Sequence, residues 1–97
     1  MKYLLVDASL NGTGIRDYYG GGYIDPEDLL LSSTVIESLR KWLKKYEEAH
    51  YDGFKNDLLI SELDNEGREI AYKIKKELSD VKMEYYSDAR MTKDQIT

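Results

Sequence analysis

Val81 to Ser87 reads VKMEYYS, with Val81, Met83 and Tyr85 alternating against Lys82, Glu84 and Tyr86. A period of two is that of a strand buried on one face. Lys2 to Ala8, KYLLVDA, is a second short run of strand-forming residues and ends at the turn formers Ser9-Leu10-Asn11-Gly12. Strands near both ends of the chain bracket the rest, and the rest is helical. From Thr34, the residues Val35, Ile36, Leu39, Trp42, Leu43, Tyr46 and Ala49 recur at three and four, with Glu, Lys and Arg between them. Thr34 and Glu37 fit a capping box, and this helix should end near His50-Tyr51-Asp52-Gly53.

A second helix carries Ile60, Leu63, Ile70, Ala71, Ile74 and Leu78 at the same spacing, with Asp64 and Glu66 early and Lys73, Lys75 and Lys76 late. Gly67 interrupts its apolar stripe: either the helix backbone approaches the sheet there, or the first turn frays. Tyr23-Ile24 is expected as a short extra strand beside the first. The tail from Asp88 has no periodicity and is expected to be partly disordered or a short edge segment. The chain is therefore expected to be one α/β domain over residues 1–97, with 88–97 a partly flexible tail. Its architecture is a small single-layer sheet of two to four strands with two helices packed on it, in the order β-(β)-α-α-β.

Composition narrows the function classes. Ninety-seven residues that are 41% hydrophobic suffice for one core and not two. The chain has no cysteine, which removes disulfides, thiolate nucleophiles and thiolate metal ligands. The apolar start is interrupted by Asp7 and too short for a signal peptide, and no run of some 18 apolar residues exists, so a cytoplasmic protein with no membrane partner is expected. Nineteen acidic against fourteen basic residues give a net charge of −5, which disfavours nucleic acid and favours a basic partner. The nine tyrosines combine apolar area with a polar tip, as interface anchors do.

Five glycines between Gly12 and Gly22 surround Ile15-Arg16-Asp17-Tyr18-Tyr19. Gly12-Thr13-Gly14 follows a strand, but a dinucleotide fingerprint needs a third glycine where Asp17 stands, with a helix opening behind it. No Gly-Lys-Ser/Thr follows, so a P-loop fails as well. An anion nest built from Gly12, Gly14 and Arg16 stays open, although the neighbouring Asp17 would repel the anion, and two further readings stay open beside it. It presents Arg16, Asp17, Tyr18, Tyr19 and Tyr23 to a partner, or it is a connector whose tyrosines fold back onto the core. Asp25, Glu27 and Asp28 extend an acidic surface, and Glu47, Glu48, Tyr51 and Asp52 form a second acidic and aromatic cluster at the first helix's end. These twelve residues are the expected partner-binding set.

Catalytic groups are scarce. His50 is the single histidine and suits a helix C-terminus better than catalysis. Ser32 and Ser33 are explained by a helix start, Trp42 by the core, and Leu63 to Gly67 lacks the ligand ladder of a calcium loop. No catalytic residue, metal or cofactor is expected, and the chain is read as not an enzyme. The rival reading is a small nucleotide- or metabolite-binding enzyme centred on Asp7, Gly12, Gly14 and Arg16. A third is a subunit self-associating through the edge of the Val81–Ser87 strand.

The segments WLKKYEEAHYDGF and LDNEGREIAYKIKKEL, followed by VKMEYYSD, together resemble small bacterial immunity proteins encoded beside polymorphic toxins, including those of contact-dependent growth inhibition systems. The resemblance runs from about Trp42 to Asp88 and rests on a Trp-x-x-x-Tyr helix, an acidic helix with Glu-Gly-x-x-Ile-Ala, and an aromatic strand. It implies a cofactorless protein that binds the C-terminal domain of a cognate toxin. With the acidic charge, it points to a basic nuclease whose active or substrate-binding surface is blocked by carboxylates in place of phosphates and aromatic rings in place of bases.

Overall fold

The structure, a computed structural model, describes residues 2–97. A four-stranded mixed sheet carries two helices on one face. The strands are β1 (Lys2–Val6), β2 (Ile15–Asp17), β3 (Val81–Ser87) and β4 (Thr92–Ile96), and the helices are α1 (Ser33–Tyr51) and α2 (Asp57–Leu78). The sheet order is β2-β1-β3-β4. β1 pairs in parallel with β3, Leu4 opposite Met83 and Val6 opposite Tyr85, while β2 and β4 add antiparallel on the two sides. The expected α/β layering is observed, in the order β-β-α-α-β-β.

The period-two patterning decides which face the helices take. Leu4, Val6, Ile15, Val81, Met83, Tyr85 and Ile96 are buried beneath the helix layer, with Leu39, Trp42 and Tyr46 of α1 and Ile60, Leu63, Ile70, Ala71 and Ile74 of α2. Tyr3 and Leu5 of β1 and Lys82, Glu84 and Tyr86 of β3 alternate to the other face and are exposed or half-buried. Among the described residues, no helix is long and apolar enough to cross a membrane.

The second strand is not the expected one. Ile15-Arg16-Asp17, inside the glycine-rich loop, pairs with β1, whereas Tyr23 makes only an isolated bridge to Arg16, and Ile24 donates its N–H to Ile15 O at 2.9 Å. Ile15 is fully buried, and that contribution to the core selects this segment over its neighbour. The segment after Asp88 forms β4, since Ile96 buries opposite Met83 and Lys75 donates to the Ile96 carbonyl at 3.0 Å. β3 consequently lies inside the sheet, and self-association through it has no free edge to use.

Helix α1 starts earlier than the Thr34–Glu37 pattern implies. Ser32 is the N-cap, accepting from the Val35 N–H, and its own N–H and hydroxyl both donate to Glu77 at 2.7 Å, which fastens the start of α1 to the end of α2. Asn56 caps α2 through the Leu59 N–H. Gly67 is buried in mid-helix, where a β-carbon would lie 2.7 Å from Trp42 Cζ2 and closer still to the Tyr85 ring. Of the two readings of Gly67, close approach is the correct one.

Candidate functional site

The twelve expected contact residues occupy three places. The first is the loop around β2. Asp17 accepts from the Gly20 N–H at 3.0 Å, and its own N–H and carbonyl bond Gly22 and Gly21, so this carboxylate closes a tight turn. The turn lifts two rings onto the sheet face that the helices leave bare. Tyr18 stacks on Tyr3 of β1 at 4.0 Å between centroids and 11° between planes, and Tyr19 stands edge-on to both at 5.7 and 5.8 Å. Tyr19 remains 75% exposed and Tyr18 42%. Lys82 Nζ lies over Tyr3 and Lys93 Nζ over Tyr18, at 5.5 and 5.4 Å, while the Tyr3 hydroxyl donates to Glu84. The tyrosines do not fold back into the core. They stack on one another, which pre-organises them as a rigid aromatic surface.

Arg16 is committed within the protein. Its guanidinium donates to the Tyr23 hydroxyl at 2.5 Å and lies over the Tyr23 ring, and its Nε is 3.2 Å from the buried carboxylate of Asp7. Burial, partly offset by the Ser9 N–H bond and by Arg16, pushes the Asp7 carboxyl above its ordinary range. The glycines offer no phosphate cradle here. The space that a β-carbon would take at Gly12 is filled by the Tyr23 ring, 2.5 Å from that position, and at Gly14 by Leu39, and the Gly12 N–H already bonds Ser9 O. Thr13 uses its hydroxyl on the Ile24 carbonyl. What resembled an anion loop is a packed corner between β1, β2 and α1.

The second place is the 3-10 turn Pro26–Leu29. Asp25 caps it through the Glu27 N–H, and Glu27 takes both of its oxygens to Arg40 of α1 at 2.8 and 2.6 Å. A side-chain hydrogen bond with Asp25, then the Arg40 contact, holds the Glu27 carboxyl down to about 2, and the same bond to Glu27 raises Asp25. Only Asp28 of this trio has no such partner among the described residues.

The third place is the end of α1, some 18 Å along the axis from Arg40 at 1.5 Å per residue. Glu47, Glu48, Tyr51 and Asp52 are exposed there, and Asp52 is the C-cap. Beside them opens a cleft of about 290 Å³ lined in part by Glu48, Asp52, Phe54 and Leu59. Sequence reasoning missed this cleft, because Phe54 and Leu59 come from the turn and the next helix. The expected acidic residues thus form two separate groups, and the tyrosines form a third.

Sequence reasoning also missed the most buried polar cluster. Asp64, 1% exposed, accepts from the Tyr46 and Tyr85 hydroxyls at 2.9 and 2.6 Å and from the Ser87 hydroxyl at 2.8 Å, with Arg90 Nε at 3.7 Å. Tyr46 Oη also accepts the Ala89 N–H and Ser87 Oγ the Arg90 N–H, so the cluster ties the β3–β4 turn to both helices. Burial drives both tyrosine hydroxyls to higher pKa, and they act as neutral donors. Both Asp64 oxygens are engaged by the protein's own hydroxyls, which makes this a structural centre. The residues of the immunity-protein resemblance meet here: Trp42 and Tyr85 close over Gly67, while Tyr46 and Tyr85 meet at Asp64.

Comparison with known families adds one finding. A family model described as Serratia CdiI immunity protein-like matches residues 6–88, from the last residue of β1 through β3, and so takes in the glycine-rich loop and both helices. Neither the curated proteins nor the solved structures include a match.

Proposed function

Because this chain belongs to the Serratia CdiI immunity protein-like family, we propose that it binds the C-terminal domain of a cognate toxin, a basic nuclease, in the cytoplasm and neutralises it by covering its active or substrate-binding surface. The stacked Tyr3–Tyr18–Tyr19 group on the bare sheet face carries the reading. Rigid, half-exposed tyrosines bury much area on docking with little loss of side-chain freedom, and so act as hot spots. The net charge of −5, carried partly by Asp28, Glu47, Glu48 and Asp52, which make no salt bridge among the described residues, suits a basic partner and speeds its approach. Inhibition is steric and electrostatic and uses no cofactor. Neither nucleic acid nor membrane is a partner.

Co-expression with the C-terminal domain of the large protein encoded immediately upstream tests this. The wild-type chain should restore growth and co-purify with the toxin. Tyr18→Ala with Tyr19→Ala should weaken the complex about 30-fold or more, the loss expected for hot-spot residues, while circular dichroism shows the chain still folded. Absence of rescue and of a complex with the wild-type chain would sink the proposal.

A further inference from the structure

We propose that the corner where α1 hands over to α2 is a socket for one basic side chain of the partner, arginine above lysine; the identity of that partner rests on the toxin-binding reading. Three features of the corner select a cation. Glu48 and Asp52 are neighbours one turn apart at the rim of the 290 Å³ cleft, and among the described residues neither carboxylate is engaged by a side chain. They sit on the last turn of α1, where the helix dipole itself favours positive charge. The facing N-terminus of α2, which would favour an anion, is capped by the Asn56 side chain and carries the acidic Asp57, paired with Arg90, in its first turn. Of the two lysines in the lining, Lys45 is spent on Glu66 at 2.6 Å, and Lys55 is outnumbered by the two carboxylates.

The cleft's floor selects a long side chain over a bare ion. Ala49, Phe54, Leu59 and Ile60 are apolar, and they suit the methylene stem and flat guanidinium of arginine better than a hydrated metal. Phe54 holds φ = 53°, a left-handed conformation that disfavours a bulky residue, after Gly53 at 77°. Its N–H bonds Ala49 O, and its ring stands edge-on to Tyr46 and His50. Next to this lining in sequence, Tyr51 is 74% and Leu58 70% exposed, apolar surface fit for a protein partner around the anchored side chain.

The test is an NMR titration of the ¹⁵N-labelled chain with N-acetyl-arginine amide and with the norleucine analogue, which keeps the stem and lacks the charge. The arginine compound should shift the Glu48, Asp52, Phe54 and Leu59 amides at least 10-fold more strongly, and Glu48→Gln with Asp52→Asn should abolish the difference. The same double variant should bind the toxin 10- to 100-fold more weakly, about the loss of two charge-assisted contacts, with an unfolding midpoint no lower than that of the wild type. Equal shifts from the two compounds, no shift at the corner, or wild-type toxin affinity in the double variant overturns the socket. A wild-type chain that binds no toxin overturns the immunity reading instead, and the titration still judges the corner's preference for a cation.

Discussion

Gly67 of α2 lies directly beneath Tyr85 of β3, so close that no β-carbon fits between the helix and the ring. The approach also brings Asp64, one turn earlier, within 2.6 Å of the Tyr85 hydroxyl. One missing methyl group therefore sets how near the helix layer sits to the sheet, and hence whether the buried hydrogen-bond cluster can form.

Gly67→Ala tests that spacing. An exposed helical site would gain about 1 kcal/mol from the change. Here the added methyl overlaps Tyr85 and Trp42, and overpacking should prevail with a net loss of roughly 1–2 kcal/mol. Urea unfolding of the two chains measures it, and a stabilised variant would mean that α2 can rise from the sheet freely.

Asp64→Asn replaces a carboxylate that receives three hydroxyl hydrogen bonds. Its amide NH₂ must then face hydroxyls that were donating, and Arg90 loses a nearby countercharge. The expected destabilisation is about 3 kcal/mol, the range for breaking a buried charged network. Tyr85→Phe, which removes one donor and leaves the carboxylate two, should lose about 1 kcal/mol by the same unfolding measurement.

Asp7 makes a prediction in pH. Burial raises its carboxyl above the ordinary 3.8, so the folded chain holds this proton more tightly than the unfolded one. The stabilisation from this group is therefore full below 3.8 and is lost as pH climbs through the raised folded value. In Asp7→Asn that loss is absent, so the variant's stability relative to wild type should improve as pH rises from about 3.5 toward neutrality. Unfolding midpoints of both chains across that range decide the matter; parallel curves would place Asp7 outside the acid response.

Leu30 ends the 3-10 turn at φ = 57° and is 91% exposed. A left-handed backbone penalises leucine, and the side chain covers almost nothing in return. Leu30→Gly should leave the fold intact and raise stability by up to about 1 kcal/mol, read from the thermal midpoint. A large loss would show that Leu30 covers apolar surface in solution.

Local patterning made much of the fold legible. Alternation in Val81–Ser87 and the run of strand formers in Lys2–Ala8 marked the two central strands, and the three-four spacing around Trp42 and Ile70 marked both helices, because each helix buries one face and its period is written in the chain. β2 and β4 were harder to see. Ile15–Asp17 is only three residues long and sits among glycines, and Thr92–Ile96 buries Ile96 almost alone, so neither carries a period. The site divides the same way: the tyrosines and carboxylates could be named from residue type, but Asp64, hidden in an acidic run, could not be told from a solvated charge.

The sequence by itself determined the α/β class, the two amphipathic helices, the acidic surplus and the tyrosine supply, since these follow from composition and short-range periodicity. Only the tertiary structure decided what those residues face. It stacked Tyr18 on Tyr3 across two strands, spent Asp17, Glu27 and Arg16 on internal partners, and opened the cleft between Asp52 and Leu59. Each of these is a contact between segments distant in the chain or turned by a loop, and such contacts depend on how helices and strands pack rather than on any local preference.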